Sequence, residues 1–256
     1  MLQKSLSMKQ LKYTEIIKMA KTAIEEYSNW DETEIPVSAR EQEIKKIKKE
    51  TVIQKVAEQT KTAEQNLEEF KQQICNCNKC PLGKTKLNFV FGVGSPYSDI
   101  MFIGEGPGFQ EDHKGEPFIG RAGMLLDKII EAMGYKRSSV YIANIVKCHP
   151  MKDPSNPELK NNDRPPTQQE MQTCKPYLDK QIEIISPRVI VTLGASSTRA
   201  LLNTEDVISS LRGKFAEYNG IKLMPTYHPA ALLRNPNLKK DVWHDMKLVM
   251  AFLKNK

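Results

Sequence analysis

Five cysteines are the side chains of this sequence best suited to binding a metal. Cys75, Cys77 and Cys80 lie close together in the run ICNCNKCPLG, and Cys148 and Cys174 follow at a distance. A C-x2-C pair with two distant cysteines can supply four thiolates, which are ligands of structural zinc and of iron–sulfur clusters. Spacing alone does not choose between these metals. The alternative is a set of five unrelated buried thiols, and the tight C-x-C-x2-C run argues against it.

Carboxylates stand in a glycine-rich loop, GEGPGFQED, which runs from Gly104 to Asp112. Its glycines allow the backbone to approach a ligand closely. Glu105, Glu111 and Asp112 place carboxylates at the mouth of the loop. The loop matches neither the Rossmann G-x-G-x-x-G pattern nor the Walker pattern, which requires G-K-[ST]. A plain connection from strand to helix with solvated carboxylates is the alternative interpretation.

Two further side chains could recognise a planar ring. Phe118 lies in the glycine-rich segment GEPFIGRAG, where it could stack on such a ring or turn into the core. Asn144 lies in the apolar run VYIANIV. Its amide carries one acceptor and two donors, so it could read a base edge or bond the backbone. Leaving it without partners would cost roughly 1–3 kcal/mol.

The segment TYHPAALLR contains His228, one of four histidines in the chain. Leu232 and Leu233 follow beside Arg234. Apolar wedges next to a cation are used by some proteins to separate a base from a duplex. For the leucines, the alternative is the first turn of a helix that packs inward.

The glycine-rich loop, Asn144 and the histidine segment all stand at the end of a predicted strand. From about residue 75, short apolar runs alternate with helical patterns, which predicts a mainly parallel sheet with helices on both faces. Ligands of such sheets bind at the carboxyl ends of the strands. We therefore predict a three-layer α/β/α fold with a central, mainly parallel four-stranded sheet. The predicted strands are Asp99–Gly104, Val140–Val146, Arg188–Leu193 and Ile221–Tyr227, and the predicted helices are Ala122–Met133, Thr167–Ile185, Ser196–Leu202 and Asp241–Phe252.

Residues 1–74 are predicted to form a helical and partly flexible N-terminal extension. Apolar residues recur there at spacings of three and four, as from Ala63 to Ile74. A proline in an acidic stretch marks a linker between two helices. The lysine-rich run at 45–50 fits the solvated face of a helix better than a nucleic-acid contact. The predicted division is an extension over 1–74 and a globular domain over 75–256.

The basic excess of the chain lies entirely in its C-terminal part. The sequence carries 38 Lys and Arg against 31 Asp and Glu, a net charge of +7. Residues 1–70 have a net charge of −1, and residues 71–256 have a net charge of +8. A basic globular part gives weak support for a polyanionic partner such as nucleic acid.

Composition excludes some classes of protein. Hydrophobic residues make up 39% of the chain, which is enough for one sizeable core. No apolar run approaches the roughly 18 residues of a membrane span. The N-terminal residues lack an unbroken apolar stretch followed by a cleavage site, so no secretory signal is predicted. The odd number of cysteines fits a reducing compartment. We therefore expect a cytoplasmic protein without a membrane span.

Taken together and in order, these motifs resemble the family four uracil-DNA glycosylases, the iron–sulfur-containing branch of the uracil-DNA glycosylase superfamily. The resemblance runs from about Cys77 to the C-terminus. It rests on the motifs CNKCPLG, GEGPGFQED, EPFIGRAGMLLD, NIVKCHP, CKPYL and TYHPAALLR. It implies that residues 75–256 form a catalytic domain that releases uracil from single- or double-stranded DNA and leaves an abasic site.

The resemblance also implies a role for each of these side chains. Glu105 would position or activate the attacking water, and His228 would stabilise negative charge on the departing uracil. Phe118 would stack on the flipped uracil, and Asn144 would read its Watson–Crick edge. Gly106 and Glu111 would contact the substrate, with Glu111 where a 5-methyl group would project. Leu232 and Arg234 would contact the DNA. A structural 4Fe-4S cluster, with zinc as the alternative occupant, would be bound by Cys77, Cys80, Cys148 and Cys174.

The sequence departs from the family pattern in three places. The best-known branch of the superfamily has an aspartate where this chain has Gly106, so Glu105 is the first choice for water activation and Asp112 the second. The stretch from Cys148 to Cys174 is longer than expected, which indicates an extra loop. A related branch traps its product through a histidine, and the corresponding LRGKFAEYNG has none, so we expect turnover.

Two other functions fit the same sequence. A non-catalytic DNA-binding module, tethered to replication machinery through the N-terminal helices, would keep the basic face but lack the pocket. A zinc-binding structural protein would use the same cysteines. Residues 1–70 are the candidate site for a protein partner, and a monomer is expected.

Overall fold

The computed structural model describes residue 22 and residues 61–255, and the described residues from Lys61 onward lie in one compact unit. Short 3-10 turns occur at Arg137–Ser139 and Pro236–Leu238. The helices are α1 Ala63–Ile74, α2 Pro81–Thr85, α3 Phe109–Lys114, α4 Arg121–Ala132, α5 Gln168–Ile185, α6 Ala195–Leu202, α7 Ile208–Leu211, α8 Pro229–Arg234 and α9 Lys239–Lys254. The strands are β1 Val93–Gly94, β2 Ile100–Gly104, β3 Tyr141–Asn144, β4 Val189–Leu193, β5 Ala216–Tyr218 and β6 Ile221–Thr226.

The strands form one six-stranded sheet in the order β1-β3-β2-β4-β6-β5. The four inner strands are parallel, and β1 and β5 join the edges in antiparallel orientation. In register, Gly104 pairs with Asn144 and Leu193 pairs with Thr226. The carboxyl ends of the four inner strands therefore lie on the same side of the sheet, and the predicted site residues follow these strand ends.

The predicted α/β class is confirmed, and the predicted strand number is corrected from four to six. The four predicted strands are the four parallel ones. The added edge strands are two and three residues long, which is too short for an alternating pattern. Strand β5 is joined to β6 through Asn219 and Gly220, both with positive φ (49° and 79°). That Asn-Gly pair is a hairpin signal, and it lies inside the stretch LRGKFAEYNG, which lacks the histidine of the related branch.

Both faces of the sheet are buried, as expected for parallel strands covered by helices. Along β2, Met101 and Ile103 face one apolar cluster, while Ile100 and Phe102 face the other. Residues of α1, α5 and α6 cover the first face, and residues of α4, α8 and α9 cover the second. These are the three layers that the alternation of strands and helices predicts.

Helix α1 belongs to the compact unit, although we predicted the domain boundary after residue 74. A capping box at Thr62 begins the helix, and Leu67 and Ile74 are buried in the first apolar cluster. The ring of Phe70 packs edge-on against Tyr177 of α5, with 6.2 Å between centroids. Apart from residue 22, the rest of the predicted extension, including its linker and lysine-rich run, lies outside the described residues. None of the helices in the described part of the chain is long and apolar enough to cross a membrane.

Candidate active site

Three predicted site residues meet at the carboxyl end of the sheet. A Cβ atom added at Gly104 would lie 2.4 Å from Asn144 Oδ1 and 2.5 Å from Phe118 Cζ, so only glycine fits there. The rings of Phe118 and His228 pack with centroids 5.6 Å apart and an interplanar angle of 34°. Gly104, Phe118, Asn144 and His228 thus form one constellation, called here the strand-edge site.

The glycine-rich loop begins directly at this site. Glu105 follows Gly104 and is partly exposed, and its backbone carbonyl accepts the N–H of Val146 at 3.1 Å. A Cβ atom at Gly106 would lie 2.7 Å from Val146 Cγ2. An aspartate at position 106 would therefore require the segment after β3 to move, which explains the glycine in structural terms.

The imidazole of His228 is held as a neutral hydrogen-bond donor. Burial lowers its pKa to about 4, and the positive charge of Arg234 acts in the same direction. Its Nδ1 accepts the backbone N–H of Ala230 at 3.1 Å, which caps helix α8. Because Nδ1 is the acceptor, the proton of the neutral ring is on Nε2. The ring thus offers an N–H to a ligand at neutral pH.

The side chain of Asn144 keeps a free acceptor in a buried place. The residue is 2% exposed, and Oδ1 has no hydrogen-bond partner within residues 61–255. A buried unpaired polar atom costs roughly 1–3 kcal/mol, so such atoms are rare outside functional sites. The amide is therefore available to a ligand that donates a hydrogen bond.

The carboxylate of Glu111 holds the loop that carries Phe118. Its Oε1 accepts the backbone N–H groups of Ile119 and Gly120, each at 3.2 Å. Phe118 has a φ of 53°, a conformation that needs support in a residue with a side chain. Glu111 therefore positions the ring of Phe118. Its predicted contact with a 5-methyl group stays a prediction.

Asp112, the second choice for water activation, lies elsewhere. It is 1% exposed, and its Oδ1 accepts the backbone N–H groups of Leu87 and Asn88 at 3.1 and 3.0 Å. These bonds anchor the segment that precedes β1. Glu105, which directly follows Gly104 in the chain, therefore stays the first candidate for water activation.

The structure buries Leu232, for which a DNA contact is predicted above. This side chain is 1% exposed and packs in the second apolar cluster, because α8 turns it towards the core. Leu233 is 40% exposed and Arg234 is exposed at the end of the helix. The exposed pair is thus Leu233 and Arg234, and the alternative of an inward-packing helix holds for Leu232.

Four cysteines lie in one region on the other face of the sheet, near enough for their charges to influence one another. Cys77 and Cys80 precede α2, with Cys80 as its N-cap. Cys148 follows β3 and Cys174 lies on α5, and all four are free thiols. Burial raises the pKa of Cys148 to about 12, and the charges of the other three cysteines contribute to this rise. We call these four residues the thiol cluster. Cys75 is turned back towards α1, where its Sγ donates to the carbonyl of Gln72.

The surroundings of the thiol cluster are polar as well as apolar. The hydroxyl of Tyr177 donates to Cys77 Sγ at 3.2 Å, and Lys86 Nζ donates to the carbonyl of Cys77 at 3.1 Å. Gly83 leaves room for that carbonyl, because a Cβ there would lie 2.5 Å from it. Among the described residues, no three Cys, His, Asp or Glu side chains are close enough to share one metal ion.

Sequence reasoning missed a histidine that joins the extra loop to the glycine-rich loop. His149 Nε2 lies 2.6 Å from Asp163 Oδ1, which also accepts the backbone N–H of Phe109 at 3.2 Å. Burial alone would lower the pKa of His149, but the carboxylates of Asp112 and Asp163 raise it to about 9. The predicted extra loop is closed by a bridge between Met151 and Asp163. The signal available in the sequence was a histidine directly after Cys148.

A separate surface groove of about 500 Å³ lies along α3. None of the four residues of the strand-edge site lines it. Its lining residues are Phe109, Gln110, His113, Lys114, Glu116 and Ile119.

Comparison with known proteins shows the family of the chain. A family model described as the uracil DNA glycosylase superfamily matches residues 91–247. The chain is 42% identical over 193 residues to a type-4 uracil-DNA glycosylase of Sulfurisphaera tokodaii, which covers 72% of this chain and 83% of the relative. Type-4 uracil-DNA glycosylases of Archaeoglobus fulgidus (39% identical, covering 72% of this chain and 92% of the relative) and Thermotoga maritima (40% identical, covering 75% and 97%) are similar in the same way.

The fold and the strand-edge site thus define a member of the uracil DNA glycosylase superfamily, and the chain belongs, within that superfamily, to the type-4 uracil-DNA glycosylases.

Proposed function

We propose that this protein is a DNA repair glycosylase, which hydrolyses the N-glycosidic bond of deoxyuridine and leaves an abasic site. The observation that carries the proposal is the strand-edge site, where a free amide acceptor, an aromatic ring and a neutral imidazole donor converge. Bases inside a duplex are out of reach, so the deoxyuridine would be flipped into this site.

The amide of Asn144 would select uracil against cytosine. Uracil presents an N–H donor at N3 and an acceptor at O4, which match the Oδ1 acceptor and the Nδ2 donor of the amide. Cytosine presents the opposite pattern, an acceptor at N3 and a donor at N4. A site built around hydrogen bonds rejects a mismatched pattern strongly, because its own buried groups are left unpaired.

His228 would stabilise the leaving group. As the bond between C1′ and N1 breaks, its electron pair stays with uracil, and negative charge grows on the oxygen O2. The Nε2–H of His228 would donate to that oxygen, and a donor of this kind typically contributes about 2.7–4 kcal/mol to lowering the barrier. The water oxygen forms the new bond to C1′, and Glu105 would hold that water and accept its proton.

The DNA would be held by charge. Residues 71–256 carry the entire basic excess of the chain, and phosphate contacts of this kind weaken as salt is added. Exposed Leu233 and Arg234 stand beside the strand-edge site and are the candidate contacts to the DNA around the flipped base. Single- and double-stranded DNA would both be substrates, with the least cost of flipping in single strands and at mispairs.

The thiol cluster would hold a 4Fe-4S cluster through Cys77, Cys80, Cys148 and Cys174. Four free thiols come from three separate segments, and a hydroxyl donates to one of them, which fits an iron–sulfur site in its donor set and surroundings. Such a cluster would cross-link the three segments, a structural role. Measuring iron, sulfide and zinc in the purified protein separates this proposal from a zinc site.

The remaining proposals concern the setting of the enzyme. We place it in the cytoplasm as a monomer, and residues 1–70 are the candidate contact for a protein partner. Size-exclusion chromatography with light scattering tests whether the full chain is a monomer. Comparing it with a chain that begins at Lys61 shows whether residues 1–60 are needed for binding a partner protein.

The direct test uses oligonucleotides that carry one deoxyuridine. The purified protein, without added metal, is expected to release free uracil from single and double strands and to create sites that alkali cleaves. Oligonucleotides that stay intact after prolonged incubation with iron-loaded protein would contradict the proposal. Binding without release would favour the non-catalytic DNA-binding module instead.

A further inference from the structure

A lysine is buried completely at the end of strand β3. Lys147 is 0% exposed, and its Nζ donates to the backbone carbonyl of Asn144 at 2.9 Å and to Gln181 Oε1 at 2.6 Å. Both acceptors are neutral. Burying an ammonium group is costly unless opposite charge and hydrogen bonds compensate it. The position of Lys147 therefore calls for a reason beyond packing.

The amide of Gln181 is oriented by its own partners. Its Nε2 donates to the carbonyl of Phe91 at 2.9 Å and to the hydroxyl of Tyr141 at 3.1 Å. These bonds leave Oε1 facing Lys147. A buried chain of hydrogen bonds thus runs from helix α5 through the ammonium group to the backbone of Asn144.

Lys147 supports the carbonyl of Asn144 at the end of β3. Asn144 is the last residue of β3 in the ladder with β2, and the N–H of the next residue, Ile145, still donates to the carbonyl of Gly104 at 3.0 Å. The side-chain Oδ1 of Asn144 has no partner among the described residues, so the side chain does not hold itself in place. The bond from Lys147 Nζ to its carbonyl is therefore a support for the orientation of this residue.

The lysine also lies next to the thiol cluster. Lys147 directly precedes Cys148 in the chain. The same short segment, residues 144–148, thus carries the base-reading amide, the ammonium group and a thiol of the cluster.

We infer that Lys147 is a positioning residue, which fixes Asn144 for base recognition through its backbone carbonyl. The inference rests on the proposed function, since it assigns a support to the residue that would read uracil. The side chain of Lys147 thus links Gln181 of helix α5 to the backbone of Asn144.

The test compares Lys147→Met with Gln181→Leu and with Lys180→Met, an exposed lysine on α5 as the control. The readout is binding to a duplex containing 2′-fluoro-deoxyuridine, whose glycosidic bond resists hydrolysis, relative to the same duplex with thymidine. We expect Lys147→Met to reduce this ratio about tenfold and Gln181→Leu to reduce it about threefold, as for a lost charged hydrogen bond and a weakened one. Lys180→Met should leave it unchanged.

Melting temperature and iron content of each variant complete the experiment. A merely structural lysine would lower the melting temperature and leave the binding ratio of the folded variant at the wild-type value, and that result would overturn the inference. If Lys147→Met does not fold, the Gln181→Leu variant tests the inference in its place. A binding ratio of Gln181→Leu equal to that of the wild type would also reject the inference. Failure of the wild-type protein to release uracil would instead reject the proposed function.

Discussion

The strand-edge site and the thiol cluster lie on opposite faces of one sheet. They differ in whether their polar side-chain atoms have hydrogen-bond partners within the protein. In the strand-edge site, a buried amide oxygen stays unpaired and the imidazole is kept neutral with its Nε2 proton free. In the thiol cluster, the protein supplies partners, such as the hydroxyl of Tyr177 on Cys77. The difference fits the two proposals, because a site for a transient ligand leaves bonds to be made, whereas a site for a bound cluster would already have its supports.

The strongest test of the first half of this comparison is Asn144→Asp. A carboxylate would present two acceptors and no donor to O4 of uracil, so we expect single-turnover release of uracil to fall at least about 1,000-fold. Asn203→Asp, an exposed position, is the matched control. Retained activity of Asn144→Asp would mean that the free amide oxygen serves no substrate.

His228→Ala should have the next largest effect. Losing a donor to the leaving group is expected to slow the chemical step about 100- to 1,000-fold, with little change in binding of uracil-containing DNA. Rapid-quench kinetics and binding to a non-hydrolysable duplex measure the two quantities separately. His244→Ala, on the exposed side of α9, should behave as wild type. An equal loss in binding and in chemistry would make His228 a structural residue.

For the thiol cluster, the informative pair is Cys80→Ala against Cys75→Ala. Cys80 stands in the proposed ligand set, and its loss should remove iron and lower the melting temperature by roughly 5–10 °C, as for a loss of a few kcal/mol in a domain of this size. Cys75 is turned away and bonds Gln72, so its replacement should change neither quantity. Iron content and thermal unfolding followed by circular dichroism measure both. Equal iron in the two variants would remove Cys80 from the ligand set.

The smallest effect concerns pH. His228 has a pKa lowered from 6.5 to about 4 in the folded protein, so the unfolded chain binds a proton more readily than the folded one. The contribution of this residue to stability is therefore full above about pH 6.5 and is lost as pH falls towards 4. Titration of the ring by NMR should give a midpoint near 4. A midpoint at or above 6.5 would contradict the neutral, buried donor, and His228→Asn should flatten this part of the stability profile.

Several features of the site could be predicted from single segments of the sequence. The four parallel strands were visible because each is an apolar run between polar loops, and the side chains after them were visible because ligands bind at strand ends. The pair Asn219-Gly220 before β6 is also a hairpin signal that the sequence carries. Leu232 and Leu233 could not be separated, because a helix of six residues is too short for its period to say which side faces the core.

The sequence by itself determined which residues carry the chemistry, since their types and local spacing set what they can bind or donate. Only the tertiary structure decided which of them meet. Phe118 and His228 are brought together because β2, β4 and β6 are neighbours in the sheet, an order that no local pattern encodes. The same holds for Glu111 under the Phe118 loop and for Lys147 between Asn144 and Gln181. Local periodicity shows which face of a helix or strand is buried. Which residues it contacts across the core depends on how all the helices and strands pack together.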